Sequence, residues 1–350
     1  MKRILLHATI FIVAFFIGTH FVSAQEKQYK VGCIAFYNTE NFYDTLDNPL
    51  TLDDEFTPNG LDKWNTQKYN TKLEHMAEVI SQIGDEYVKG GPVIIGMSEI
   101  EDSSVLVDLV KQPLLKKSNY GIVEYNSPDR RGVDVALLYQ KDHFVLISSK
   151  PVKLTIPGRT DWFTRDQLVV SGLFDGELMY FIVNHWPSRR GGEKRSAGLR
   201  NAAADLTRSI VDSIQKIDST SKIIIMGDLN DDPTNNSLIK HLKAKSDVKE
   251  TGRKDLYNPS YNLFKKEGVG SLAYRDNWNL FDQIIVSGTL LGDDKATYKF
   301  FKSKIFNRNF LIQKEGAFAG YPFRTYVGST WQGGYSDHFP AYIFLAKEVK

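Results

Sequence analysis

The stretch Ile223-Ile224-Ile225-Met226-Gly227-Asp228-Leu229-Asn230-Asp231-Asp232 decides how this chain folds. Its opening apolar run, three isoleucines and a methionine, fits a strand buried on both faces. Lys222–Met226 is therefore read as a strand. The run stops abruptly, and short polar side chains follow at once. In α/β sheets, strand ends are where ligand sites gather. The same pattern recurs four more times. Phe36-Tyr37 runs into Asn38-Thr39-Glu40-Asn41, and Ile94-Ile95-Gly96-Met97-Ser98 into Glu99-Ile100-Glu101-Asp102. Phe181-Ile182-Val183 runs into Asn184-His185-Trp186-Pro187-Ser188, and Ser336-Asp337-His338 precedes the last strand. These clusters hold Asn, Glu, Asp and His but no thiolate. Oxygen ligands with occasional imidazole suit a hard divalent cation, Mg²⁺ first, with Mn²⁺ or Ca²⁺ as alternatives. One acidic strand end alone is as readily a plain turn; the chemical reading rests on all five together.

Around that strand, apolar runs alternate with helical stretches. Val31–Tyr37, Pro92–Met97, Val133–Tyr139, Phe144–Ile147, Phe281–Val286 and Ala341–Ala346 read as strands, with Asp142 in the turn between the third and fourth. Thr66–Glu86 reads as a helix: Tyr69, Leu73, Met76, Ala77, Ile80 and Ile83 recur at helical spacing behind Asn65 and Thr66 as caps. Ser103–Val110 reads as a short helix and Ser196–Ile217 as a long one. Leu168–Phe174 and Leu178–Val183 form a hairpin around Asp175-Gly176. Hairpins among helix-linked strands predict an α/β fold with mixed sheets. Residues 287–335, rich in Lys, Phe, Gly and Tyr, are the least legible segment and are expected to include long loops. No linker or repeat divides residues 25–350, so they are expected to form one domain.

The 350 residues are 42% hydrophobic and 25% charged, which excludes a disordered or collagen-like chain. Lys2 and Arg3, the apolar run Ile4–Gly18 and Val22-Ser23-Ala24 describe a secretory signal peptide over residues 1–24. The run is short for a membrane span, and His20 interrupts its far end, so cleavage and export, periplasmic or secreted, are expected. No stable membrane association is expected after cleavage. Cleavage removes two of 44 basic residues and none of 42 acidic ones, leaving a near-neutral chain. Such a chain is no generic polyanion binder; attraction to nucleic acid needs a local patch or a metal. Cys33, the one cysteine, excludes an intramolecular disulfide and reads as a buried small hydrophobe.

The Gly227-Asp228-Leu229-Asn230 and Ser336-Asp337-His338-Phe339-Pro340 stretches are similar to the endonuclease/exonuclease/phosphatase superfamily, and the resemblance runs from about Val31 to Phe344. It implies a four-layer sandwich of two mixed sheets flanked by helices and a metal-dependent phosphodiester hydrolase, nuclease first. It further implies roles residue by residue. Glu99 resembles the principal metal-binding glutamate, with Asn38, Glu40 and Asp337 beside the metal. Asp228 and Asn230 resemble the pair that orients the attacking water and contacts phosphate. Asp282 resembles the aspartate at the start of a late strand, and His338 the catalytic histidine. His185 resembles the histidine of deoxyribonuclease-like and sphingomyelinase-like members, suited to protonating the leaving oxygen. Arg165 resembles an arginine that approaches the substrate phosphate. Asp134 interrupts an apolar strand; it either faces solvent, starts the strand late, or buttresses His185. His75, His143 and His241 read as ordinary surface residues.

Ser188-Arg189-Arg190-Gly191-Gly192-Glu193-Lys194-Arg195 with Arg200, and Phe323-Arg324-Thr325-Tyr326 with Trp331, offer arginines for phosphates and aromatics for bases, or simply loop packing. Arg189 is the phosphate-binding candidate there. An exported endonuclease acting on DNA or RNA as a monomer, with no protein partner, is the leading expectation. A phosphoesterase on a lipid head group or small organic phosphate is the alternative, and Lys299-Phe300-Phe301-Lys302 is the segment to inspect for membrane contact. A non-catalytic binding protein is disfavoured, because none of these acids and histidines is missing.

Overall fold

A computed structural model describes residues 27–349 except 157, 160 and 161. The leader expected over residues 1–24 lies outside the described residues. The described chain opens with β1 (Tyr29–Phe42), α1 (Thr66–Gln82) and β2 (Ile94–Ile100). The Asn65 side chain caps α1 by accepting from the Lys68 amide, as the sequence predicts. Next come α2 (Ser103–Val110), β3 (Tyr120–Glu124) and β4 (Asp134–Gln140), then β5 (Phe144–Val152), β6 (Gln167–Phe174) and β7 (Glu177–His185). α3 (Glu193–Ile217) leads into β8 (Lys222–Asp228) and the short β9 (Ala244–Lys245) and β10 (Leu256–Tyr257). α4 (Ser260–Glu267) precedes the hairpin β11 (Leu272–Tyr274) and β12 (Asn277–Asn279). β13 (Asp282–Ser287), β14 (Lys299–Ile305), the small pair β15 (Tyr326–Val327) and β16 (Thr330–Trp331), and β17 (Ala341–Glu348) complete the order.

Two mixed sheets result. One runs β14-β17-β1-β2-β4-β3 and the other β5-β6-β7-β8-β13-β10-β9. Both central regions are buried on two faces, as the uninterrupted apolar runs require. In β8, Ile224 and Met226 face the other sheet, while Ile223 and Ile225 pack under α3. In β1, Ile34 and Phe36 face inward, while Cys33, Ala35 and Tyr37 pack under α1. The layers are therefore helix, sheet, sheet, helix, the expected four-layer sandwich. The two sheets approach closely at Gly96, where a Cβ would lie 2.5 Å from the Met226 sulfur.

The turn at Asp142 joins β4 to β5, which belong to different sheets, so it carries the chain between layers. Residues 287–335 include long loops and, among them, β14 as an edge strand beside β17. Its Lys-Phe-Phe-Lys start has no clean alternation, because a register shift between Phe300 and Lys302 in the β14–β17 pairing interrupts the two-residue period. Phe300 packs on the inter-sheet core and Phe301 lies against Tyr87 at 5.8 Å, so this segment is no protruding hairpin. β3, five residues with Gly121 inside it, is too short a run to be legible from sequence. Among the described residues, no helix is long and apolar enough to cross a membrane.

Candidate active site

Each sheet holds a long parallel pair joined by an α-helix, β1–α1–β2 in the first and β7–α3–β8 in the second, which also carries the short parallel pair β9–β10. Parallel strands end on the same edge, so Asn38 lies beside Ser98 and His185 beside Asp228. Their antiparallel neighbours start where these strands end. Asp282 opens β13 opposite Asp228, and Ala341 opens β17 opposite Phe36, just after Asp337 and His338. All five polar clusters thus meet at one end of the sandwich, around a cleft of ≈ 480 Å³. Asn38, Glu40, Glu99, Arg165, His185, Asp228, Asn230, Asp337 and His338 line it, with Asp282 fully buried beneath.

The backbone is bent to aim these side chains. Ten described non-glycine residues have positive φ, and four of them line this cleft: Glu40 (49°), Asn41 (53°), Glu99 (60°) and Asn230 (51°). Register shifts in the β1–β2 and β2–β4 pairings bracket the first three. Bulges re-aim side chains, and strained backbone gathers where function requires it.

His338 Nδ1 lies 2.7 Å from Asp282 Oδ2, which also accepts from Ser271 Oγ at 2.5 Å. Asp228 accepts from Asn38 Nδ2 at 3.1 Å and from the Asn230 amide at 3.0 Å. His185 Nε2 sits 3.6 Å from Asp228 and 3.9 Å from Glu99. Glu99 Oε2 accepts the Asn41 amide at 3.0 Å, and Glu40 accepts the Thr325 amide at 2.6 Å. Asp337 pairs with Arg324 at 3.1 Å and lies 3.8 Å from His338 Nε2.

Burial and charge set the protonation states. Burial alone would lower His338, but Asp282, Asp337 and Asp228 outweigh it and hold the imidazolium well above its ordinary value. Burial lowers His185 well below its ordinary value, and the Arg165, Arg131 and His338 charges push the same way. Burial pushes the Asp228 carboxyl up to about 7, with Asp282 and Glu99 adding to it against His338. Burial and the Asp337 charge push Glu40 up to about 7, against Lys72, the Thr325 amide and Arg324.

Several expected placements differ. Asp134 does not reach His185: its carboxylate accepts the Ser127 amide at 2.8 Å, and His185 Nδ1 is buried without a partner. It starts β4 late and faces Ser127 and Asp166 instead. Burial pushes Asp134 up to about 7, so its ionisation costs stability as pH rises from ~4 through that value. Asp134→Asn is expected to raise the melting temperature at pH 8 by several degrees and to change it little at pH 4; equal shifts at both would refute that cost. Arg189 does not line the cleft. Its guanidinium pairs with Asp231 at 3.2 Å, Asp232 at 3.3 Å and Glu193 at 3.1 Å, over the Phe281 ring. Arg200 is fully buried and pairs with Asp231 at 2.7 Å. Arg165 lines the cleft but is braced by Asp129 at 3.0 Å and the Trp186 carbonyl at 2.9 Å. His185, held neutral, is not a ready proton donor to a leaving oxygen. The other three histidines are partnered: His75 by the Gly334 carbonyl, His143 by Asp175 and His241 by Asp205.

The cleft also contains residues that sequence alone did not single out: Asp129, Arg130, Arg131, Trp162 and Phe163. The signal for the first group was present. Asp129-Arg130-Arg131-Gly132 is a charged turn leading into a strand, the pattern already noted at Ser336-Asp337-His338. Lys72 is the other omission. It lies between Tyr69 and Leu73 on the apolar side of α1, fully buried, and donates at 2.6 Å to Thr325 Oγ1 and to the Tyr335 carbonyl.

Among the described residues, no three His, Cys, Asp or Glu side chains converge as a ready metal cage. Mg²⁺ does not need one, since it keeps several waters and takes one or two carboxylates together with substrate phosphate. Two observations fit such an ion. Among the described residues Glu99 Oε1 accepts no hydrogen bond, and the Arg131 Nη1 and His185 Nε2 nitrogens stand 3.9 Å away. The crowding of Glu40 against Asp337 is the kind of repulsion a cation relieves. Glu99 with Asn38, Glu40 and Asp337 forms the oxygen-rich set that would hold it.

A family model described as Endonuclease/Exonuclease/phosphatase family matches residues 33–347. The chain belongs to that family. Members of the endonuclease/exonuclease/phosphatase family are hydrolases of phosphoester bonds and generally use divalent metals. Solved structures share the fold. A humanized D. rerio TDP2 is 13% identical with a TM-score of 0.54, covering 90% of this chain and 98% of that one. A Bacteroides thetaiotaomicron mannosyl-6-phosphatase is 16% identical with a TM-score of 0.53, covering 90% and 99%. A D. rerio TDP2 complexed with single-strand DNA product is 13% identical with a TM-score of 0.53, covering 90% and 98%. No curated protein sequence matches the chain.

Proposed function

We propose that the protein is a divalent-metal-dependent phosphodiesterase, exported from the cell and acting on nucleic acid. One observation carries the reading: the buried His338–Asp282 pair at 2.7 Å faces Asp228, Asn38, Asn230 and Glu99 across a single cleft. A phosphodiester is anionic and repels nucleophiles, and a cation held by Glu99 would neutralise charge on its non-bridging oxygens. His338, kept as imidazolium by Asp282, presents Nε2–H to a phosphate oxygen. Asp228, at about 7, is matched to accept a proton from water near neutral pH. Asn230 Nδ2 donates to the Trp186 carbonyl at 3.0 Å and so positions the turn after β8. Asn38 fixes the Asp228 carboxylate. His185, held neutral, offers Nε2 as a hydrogen-bonding group beside Asp228 and Glu99. The TDP2 structure with single-strand DNA product supports nucleic acid as the substrate class.

A second reading is a small phosphate ester as substrate. It is favoured by the inward ion pairing of Arg189 and Arg200, which removes two arginines from the surface offered to a nucleic-acid backbone. The mannosyl-6-phosphatase neighbour is in line with it.

The test is hydrolysis by the purified chain with Mg²⁺, Mn²⁺ or Ca²⁺ against DNA, RNA, sphingomyelin and small phosphate esters. EDTA is expected to abolish turnover. Glu99→Gln is expected to raise the Mg²⁺ concentration needed for half-maximal rate by about tenfold or more. Full activity in EDTA, or an unchanged Mg²⁺ requirement, would overturn the metal reading.

A further inference from the structure

Asp129 organises the turn that enters β4. Its carbonyl accepts the Gly132 amide at 3.1 Å and its Oδ1 accepts the Arg131 amide at 2.9 Å, so the chain reverses tightly over residues 129–132. Gly132 closes the turn at φ 70°, with the Thr51 side chain 2.8 Å from where a Cβ would lie. Two further bonds pin the turn from outside. The Leu52 amide donates to the Arg130 carbonyl at 2.7 Å, and the Tyr43 hydroxyl donates to the Arg131 carbonyl at 2.8 Å. The backbone that carries Arg131 is therefore fixed on both sides.

The two arginines that Asp129 holds are placed differently. Arg165 is buried, and its Nη groups are spent on Asp129 at 3.0 Å and on the Trp186 carbonyl at 2.9 Å. The Arg131 side chain is 45% exposed and lines the cleft. Asp129 Oδ1 steadies it through Nε at 3.5 Å, and its Nη groups make no hydrogen bond among the described residues. Nη1 stands 3.9 Å from Glu99 Oε1, too far for a hydrogen bond. That carboxylate oxygen is the one left free to hold a cation. A phosphate drawn to a cation on Glu99 would lie beside this guanidinium, a planar fork whose geometry matches two phosphate oxygens.

We propose that Arg131 grips the non-bridging oxygens of the substrate phosphate, with Asp129 as the positioning residue that aims it and Arg165 as the brace behind Asp129. The contact that the family resemblance implies for Arg165 thus falls to a residue on the turn before β4. This inference rests on the phosphodiesterase reading above and names a further residue of that same site. It holds for a nucleic acid or a small ester, because both present non-bridging oxygens.

The experiment compares wild type, Arg131→Met, Arg131→Lys, Asp129→Asn and the Asp129→Asn/Arg131→Met double variant. Each is assayed on bis(p-nitrophenyl) phosphate with Mg²⁺, and its affinity for inorganic phosphate is measured by titration calorimetry. Arg131→Met should raise both KM and the phosphate Kd by about 10- to 100-fold, with kcat changed much less. Arg131→Lys, which keeps the charge without the fork, should recover part of that loss. Asp129→Asn should weaken phosphate binding too, yet add little in the double variant, because it acts through Arg131. A KM and phosphate Kd within about threefold of wild type in Arg131→Met overturn the inference, and so does a fully additive loss in the double variant. A wild-type chain that hydrolyses no phosphodiester but binds phosphate through Arg131 sinks the phosphodiesterase reading and leaves the grip standing.

Discussion

His338→Ala is expected to lower the rate of phosphodiester hydrolysis by about 10³-fold, with KM little changed. The imidazolium is buried at the cleft floor and locked in place by an acid, Asp282 at 2.7 Å. Its charge acts where negative charge develops in the transition state, so its loss falls on kcat. Asp282→Asn gives a second, independent readout. His338 is held above its ordinary value first against burial and then by the Asp282 charge. Activity that needs the imidazolium is therefore present at neutral pH and lost as pH rises through that raised value. Removing the Asp282 charge lowers the value, so the alkaline limb of kcat should move to lower pH. An unchanged limb in Asp282→Asn would exclude a charged His338 as the working form.

Lys72→Met is expected to destabilise the fold by about 3–5 kcal/mol, the cost of breaking a buried charge constellation from one side. Burial pushes Lys72 down to about 8 even against the pull of Glu40 and Asp337, so it remains charged at neutral pH. Its two bonds pin both ends of the segment 325–335 onto α1, and the Thr325 amide in turn holds Glu40. Methionine keeps the volume and leaves those acids facing each other. Urea denaturation with and without Mg²⁺ measures the effect. The divalent ion should restore part of the loss by supplying the missing charge. A change under about 1 kcal/mol would show that Lys72 is an incidental buried amine rather than a counterion to the acids.

The positions of the working groups were legible because each follows a run of apolar residues too regular to be anything but a strand. Asp228 after Ile223–Met226, Glu99 after Ile94–Met97 and His185 after Phe181–Val183 could be placed at strand ends from local pattern alone. The same local signal failed at β3 and β14. β14 carries a register shift that breaks the two-residue period, and β3 is a five-residue strand with Gly121 inside it, too short a run to stand out. Lys72 illustrates a different failure. A charged residue on an apolar helix face reads as noise until the loop that partners it is seen 253 residues away.

Local sequence thus determined the α/β class, the parallel crossovers implied by helix-linked strands, and the supply of oxygen ligands and histidines at strand ends. Those depend on hydrophobic periodicity and side-chain chemistry, which are properties of short segments. Tertiary structure alone decided the pairings. It turned Arg189 and Arg200 inward onto Asp231, gave Asp134 to Ser127 rather than His185, and placed Asp282 behind His338. It also set the two histidines to opposite protonation states, although the residue type is the same. A histidine's charge depends on which long-range neighbours share its low-dielectric site. Arg131 and Arg165 face His185 and three aspartates surround His338, an arrangement that exists only once both sheets have closed on each other.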